Sequence, residues 1–187
     1  MGKATKLDWN EIDPEKLGES VSEDDIKNAE NGGRPGIGLY LCSCEKSAPK
    51  QVNPDDKPSY LVAGLGWKIE RVIELNGVKV ADGEGETMEG KYIWDDIPLP
   101  HANESDGARS RRILVAKRCG LINDTSRSLP PDAWSNLIIG KRALIRLTER
   151  AYTDKAGNPK TIVGVPFDGY DYAAKAEAVA DADFQDI

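Results

Sequence analysis

Apolar and polar residues alternate along much of the middle of this chain. In Lys141–Arg150 (KRALIRLTER), Ala143, Ile145 and Leu147 share one side of a period-two pattern. Arg142, Arg146 and Arg150 share the other, with Leu144 and Thr148 between them. The pattern predicts a strand with one apolar and one basic face, and Ala143, Ile145 and Leu147 are expected in the core. Gly36–Lys46 (GIGLYLCSCEK) sets Ile37, Leu39 and Leu41 against Tyr40, Cys42 and Cys44. Ser59–Leu75 (SYLVAGLGWKIERVIEL) alternates Leu61, Ala63, Leu65, Trp67 and Ile69, then slips phase at Val72 and Ile73. Such a slip, with Gly64 and Gly66 nearby, predicts a bulge or a strong bend. Lys91–Leu99 (KYIWDDIPL) and Lys160–Phe167 complete a set of five strands, and a short piece at Val78–Val80 follows the tight-turn signal Asn76-Gly77.

One helix interrupts the series. Ala108–Leu121 (ARSRRILVAKRCGL) ends on Gly120, a residue suited to a C-terminal cap. Its cations Arg109, Arg111, Arg112, Lys117 and Arg118 are expected to face solvent, leaving Ile113, Leu114 and Cys119 for the core. Ser47–Pro58, Asp82–Gly90 and Ser126–Asp132 read as loops, and Thr153–Pro159 as a hairpin turn. Ala133–Ile139 reads as a short helical turn packed through Trp134 and Leu137. Trp67 and Trp134 lie on apolar phases and are expected inside, while Asp95-Asp96 is expected at a strand end. Strand, strand, strand, helix, strand, strand is the element order of an OB-fold. The expected fold is therefore mainly β: a five-stranded OB-like barrel with one helix between strands 3 and 4, and flexible acidic termini. The segments are 1–33, an N-terminal extension with a short helix expected around Pro14–Lys27; 34–167, the body; and 168–187, the tail.

Charge follows the same division. The whole chain carries a net charge of -7 over 187 residues. Residues 1–33 set four Lys against nine Asp/Glu, and residues 167–187 set one Lys against six, a net of -5 each. The middle, 34–166, then has 20 Lys/Arg against 17 Asp/Glu, a net of +3. Acidic ends serve solubility. The asymmetry also suits a protein whose body meets a polyanion while its tail meets partners.

The same composition narrows the chemistry. No apolar run reaches the roughly 18 residues of a membrane span. The N-terminus lacks an apolar signal core, and Gly2 has no Ser or Thr at position 6 to make a myristoylation signal, so an intracellular protein is expected. Three cysteines, Cys42, Cys44 and Cys119, argue for a reducing compartment rather than a disulfide framework. His101, the only histidine, has no ligand-spaced partner for a zinc site and no Ser or Cys set for nucleophilic catalysis. The pairs Gly36/Gly38 and Gly64/Gly66 lack the third glycine of a dinucleotide site. No enzyme activity, cofactor or metal is expected.

What remains is basic and aromatic. Arg142, Arg146 and Arg150 form a row about 26 Å long at ~3.3 Å per residue, a match for a run of phosphates. The plain alternative is a solvated outer sheet face. The hairpin adds Tyr152, Lys155 and Lys160. The long second strand adds Tyr60 and Lys68 opposite Trp67, and the third adds Lys91 and, across the pleat, Tyr92 and Trp94. A cationic groove with flat side chains for stacking is what single-strand binding needs, at ~1–3 kcal/mol per stacked base.

The body resembles phage-encoded single-stranded-DNA-binding proteins of the OB-fold type, a family of phage replication and recombination regions. The residues that carry the likeness are GIGLYLCSCEK, the long bent strand, KYIWDDIPL, RRILVAKRCGL and WSNLIIGKRALIRLTERAYTDKAGNPKTIVGVPF. The resemblance implies a sequence-nonspecific binder of single-stranded DNA, acting in DNA replication or recombination in the cytoplasm of a bacterial host cell. Homo-oligomers are compatible with it. It also implies that an acidic tail, here Asp181, Asp183, Phe184 and Asp186, recruits replication or recombination proteins, although Gln185, Asp186 and Ile187 follow the phenylalanine. An alternative of a different class is an OB-like protein-interaction module, a virion or recombinase-complex component, without nucleic-acid binding. A metal-dependent nuclease stands third.

Overall fold

The structure, a computed structural model, describes residues 34–54, 58–81, 85–123, 128–154 and 156–176. The chain divides into two units, Met1–Gly33 and Arg34–Ile187. The described residues of the second unit are mainly β, with few helices. The strands are β1 (Gly38–Val52), β2 (Tyr60–Leu75), β3 (Val78–Lys79), β4 (Tyr92–Pro98), β5 (Arg142–Thr153), β6 (Pro159–Gly164) and β7 (Tyr170–Tyr172). Helix α1 (Asp106–Arg118) and a π-helical turn (Ala133–Leu137) lie between β4 and β5. The strands form one antiparallel sheet of seven in the order β3-β2-β1-β5-β6, with β4 also on β2 and β7 on β5. The sheet is not closed.

Two lengths differ from the sequence reading. β1 runs on to Val52 through the segment expected as loop, because Lys46–Val52 stays in register with Tyr60–Gly66 of β2. The end expected to be flexible is folded through Ala176: Tyr170–Tyr172 pairs with Ala143–Ile145, and Tyr170 is 2% exposed. The boundary drawn at Asp168 therefore falls inside the folded unit.

Alternation places the core. Ala63, Leu65, Trp67 and Ile69 of β2 point inward with Tyr40, Cys42 and Cys44 of β1 and Ala143, Ile145 and Leu147 of β5. The phase slip in β2 is a pair of bulges. Cys42 pairs Ile69 while Leu41 pairs Arg71, and Tyr40 pairs Val72 while Leu39 pairs Glu74, so Glu70 and Ile73 are extra residues. Each extra residue resets the pleat by one, returning Val72 to the main core and sending Ile73 outward. Asn76 (φ 50°) and Gly77 (φ 83°) make the two-residue turn to β3, where both central residues must take positive φ. Trp134 packs beneath β1, and Ser47 Oγ donates to its carbonyl. Leu41, Ile73 and Leu144 form a second, outer cluster closed over by Ala176.

Helix α1 corrects an expectation. Ser105 caps it by accepting from Ala108 N at 3.2 Å. Its buried residues are Arg112, Val115 and Ala116, with Cys119 just beyond, while Ile113 is 42% exposed. Arg109 and Lys117 are exposed as expected, but Arg111 and Arg112 turn inward because carboxylates and carbonyls wait there. Arg112 makes a two-pronged pair with Glu104 at 2.7 and 3.1 Å and donates to Pro98 O. Arg111 grips both oxygens of Asp95 at 2.9 and 2.7 Å, and Tyr170 Oη donates to the same carboxylate at 2.8 Å. Asp95 is thus an inward mid-strand residue rather than a strand end, and its burial pushes the carboxyl upward against the pull of Arg111 and Tyr170. Arg118 holds Asp171 at 2.7 Å and lies over the Tyr172 ring. Together these pairs tie β4, α1 and β7.

Candidate nucleic-acid interface

The outer surface of β1, β2 and β4 gathers aromatic and cationic side chains. Lys46 stands opposite Gly66, and Gly66 stands opposite Trp94; the next pairs along are Lys68 with Tyr92 and Gly64 with Asp96. Opposed residues share a face, and the alternate positions Trp67, Ile93 and Ile97 fill the core. Tyr92 and Trp94 stack with centroids 5.8 Å apart and planes 25° from parallel. Trp94 is 56% exposed. Lys46 Nζ lies over both rings, 4.2 Å from the Tyr92 centroid and 5.6 Å from that of Trp94. Farther along β2, Tyr60 stacks on His101 at 4.9 Å.

Glycine makes the floor. A Cβ at Gly66 would come within 3.0 Å of both Lys46 Cβ and the Trp94 ring. Gly64 leaves the same room for Lys50, which crosses to Asp96 at 2.8 Å. Gly66→Val is expected to leave the sheet folded, since strand preferences span only about 1 kcal/mol, yet to push the Trp94 indole aside. Near-ultraviolet circular dichroism of the Tyr92–Trp94 pair checks this, and an unchanged spectrum would show that the close approach does not hold the ring.

Glu45 sits at the centre of the surface. Tyr92 Oη donates to its Oε2 at 2.6 Å, and Lys68 Nζ lies 3.1 Å from its Oε1. These two donors hold the Glu45 carboxyl below its usual range, and the carboxylate in turn raises Tyr92 and Lys68.

The residues singled out in the sequence fall into separate groups. Tyr92 and Trp94 come together here, with Tyr60 on the same face of β2. Arg142 and Arg146 do reach the outer face, but each holds a carboxylate of β2: Arg142 Nε binds Glu70 at 2.7 Å and Arg146 Nη1 binds Glu74 at 3.1 Å. Leu144 between them is 3% exposed in the outer cluster. The expected row of free cations is therefore two ion pairs around a covered apolar patch. Arg150 and Tyr152 lie on the β5–β6 hairpin opposite Ile162 and Lys160, all exposed, and Lys160 pairs with Asp154 at 2.9 Å. Lys91 precedes β4, its Nζ 3.7 Å from Met88 Sδ. Lys155, Asp181, Asp183, Phe184 and Asp186 lie outside the described residues. Lys46 and Glu45 were not singled out. Glu45 is the extra residue of a bulge in β1, between the pairs Cys44–Trp67 and Lys46–Gly66. That becomes visible only once the register with β2 is known.

Among the described residues, no group of three or more His, Cys, Asp or Glu side chains is placed to hold a metal ion. Cys42, Cys44 and Cys119 are free and buried, and burial pushes the Cys44 thiol up to about 11. No described helix is long and apolar enough to cross a membrane. No protein-family model matches the chain, and no curated protein was found similar to it.

Proposed function

We propose that this chain is a non-enzymatic, sequence-tolerant single-stranded-DNA binder built on a partly open OB-like barrel. The observation that carries the reading is the exposed Tyr92–Trp94 stack beneath Lys46, on a glycine floor. Flat rings accept any base, and cations beside them follow the backbone, so such a surface binds without reading sequence. Leaving aside the short β3 and β7, the strands lie side by side as β4-β2-β1-β5-β6, and α1 falls between β4 and β5, the third and fourth of these along the chain. A meander whose first strand also pairs with the fourth supports an OB-like Greek key. The resemblance to phage single-strand binders extends the reading to replication or recombination in a bacterial host cell, with the acidic tail as the recruiting segment.

The test is a titration with oligo-dT at several salt concentrations. Among the described tryptophans, Trp67 and Trp134 are buried and Trp94 is exposed, so binding is expected to quench mainly Trp94. Affinity should fall with salt at a slope of about -0.7 per phosphate contacted. Absence of quenching and of any mobility shift at about 50 mM salt, where phosphate contacts are strong, would leave the protein-interaction module as the better reading. That alternative draws on the ion pairs of Lys50, Lys68, Arg142 and Arg146, which occupy cations that a polyanion would need.

A further inference from the structure

Four cations of the outer face hold carboxylates, and one of those contacts differs from the others. Lys50–Asp96, Arg142–Glu70 and Arg146–Glu74 are single pairs between one cation and one acid. Glu45 instead receives two donors from two strands, the Tyr92 hydroxyl of β4 at 2.6 Å and the Lys68 ammonium of β2 at 3.1 Å. A further cation, Lys46, is next in sequence and lies over the ring of the same tyrosine. The bulge in β1 is what aims Glu45 there, since an extra residue turns its side chain out of the regular pleat. The side chains of Glu45 and Lys68 are 39% and 43% exposed. A pair so open to water adds little to stability, so a stabilising role does not account for the arrangement. A hydroxyl and an ammonium converging on two oxygens of one anion make a donor set that fits a phosphodiester as well as a carboxylate.

We propose that the Tyr92 hydroxyl and the Lys68 ammonium form a seat for one backbone phosphodiester of the bound strand, beside the base stacked on Trp94, and that Glu45 fills this seat in the free protein and leaves it on binding. The inference rests on the reading of this face as a single-strand interface. Glu45 is then a stand-in for the ligand. It keeps Lys68 from capturing small anions and holds the Tyr92 ring in its stack until a strand arrives. Because the contact is solvent-exposed, a strand with several phosphates displaces it readily.

The experiment is a mutant cycle read with labelled oligo-dT at about 50 mM salt, on the full chain. Glu45→Gln keeps the side-chain size and one acceptor oxygen but removes the charge. It is expected to bind about fivefold tighter than the parent. Its salt slope should match the parent's, because Lys68 meets the same phosphate in both proteins and the counterions released come from the strand. Adding Tyr92→Phe, which keeps the ring and drops the hydroxyl, should remove most of that gain. Asp96→Asn removes the same charge from the same face without touching the seat, and should tighten binding less. If the parent binds but Glu45→Gln is no tighter, the seat is overturned; if Asp96→Asn matches it and the gain survives Tyr92→Phe, only net charge is at work and the seat is overturned as well. If the parent does not bind oligo-dT, the interface reading falls and takes the seat with it. Circular dichroism of each variant confirms that the fold is intact.

Discussion

Trp94→Ala is expected to weaken oligo-dT binding about 5- to 150-fold, the equivalent of ~1–3 kcal/mol for one lost base stack. The indole is more than half exposed and touches Gly66, Tyr92 and Lys46 rather than the core. Removing it should therefore leave thermal stability nearly unchanged. Most of the binding-induced quenching should go with it, because the other two described tryptophans, Trp67 and Trp134, are buried. Trp94→Phe should recover much of the affinity while remaining dark to the fluorescence assay. Arg142→Ala and Arg146→Ala serve as the contrast: each of these arginines already holds a carboxylate, so each loss should be smaller than that of Trp94. Equal losses at all three positions would mean that charge along β5, not stacking on β4, dominates.

A second large effect is expected on stability. Asp95→Ala should cost ~3–5 kcal/mol, the range for breaking a buried ion pair from one side. The side chains of Asp95 and Arg111 are only 12% and 16% exposed, so little water is at hand to replace the lost partner. Tyr170 loses its acceptor at the same time, with its hydroxyl inside the core. Urea unfolding should show a lower midpoint at a similar slope if the native state keeps its compactness. A paired replacement, Asp95→Leu with Arg111→Met, should be more stable than Asp95→Ala alone, because it leaves no unmatched charge. If Asp95→Ala melts like the parent, the contact is incidental to the fold.

These two residues mark what could and could not be read from the sequence. The strands were legible because one face of each is buried, and burial writes a period of two into the residues. Trp67, Ala143, Ile145 and Leu147 are core for that reason. The turn at Asn76-Gly77 was legible because its backbone demands those residues. Tyr92 and Trp94 were legible as candidates through their shared phase. Pairings distant in sequence were not. Arg142 and Glu70 are 72 residues apart, as are Arg146 and Glu74, and no local pattern shows that an arginine row comes already matched. The inward turn of Arg111 and Arg112 was hidden for the same reason: a charged residue reads as solvent-facing until its counter-charge is located. β7 was missed because Tyr170 and Tyr172 sit in a segment whose alanines and aspartates read as tail.

Tyr170 has a consequence for the order in which the molecule is made. Its ring meets Trp67 edge-on at 5.6 Å, and its hydroxyl reaches Asp95, 75 residues earlier. As the chain leaves the ribosome, β1, β2 and β4 can pair as they emerge, but the space against Trp67 stays unfilled and the Asp95–Arg111 pair stays open on one side until residue 170 has been synthesised. Closing contacts over such separations is slow compared with local pairing, and growing chains that wait on them expose apolar surface. Truncations that stop short of Tyr170 should therefore accumulate as sticky, chaperone-bound species, whereas those that end just beyond Ala176 should be released as soluble protein.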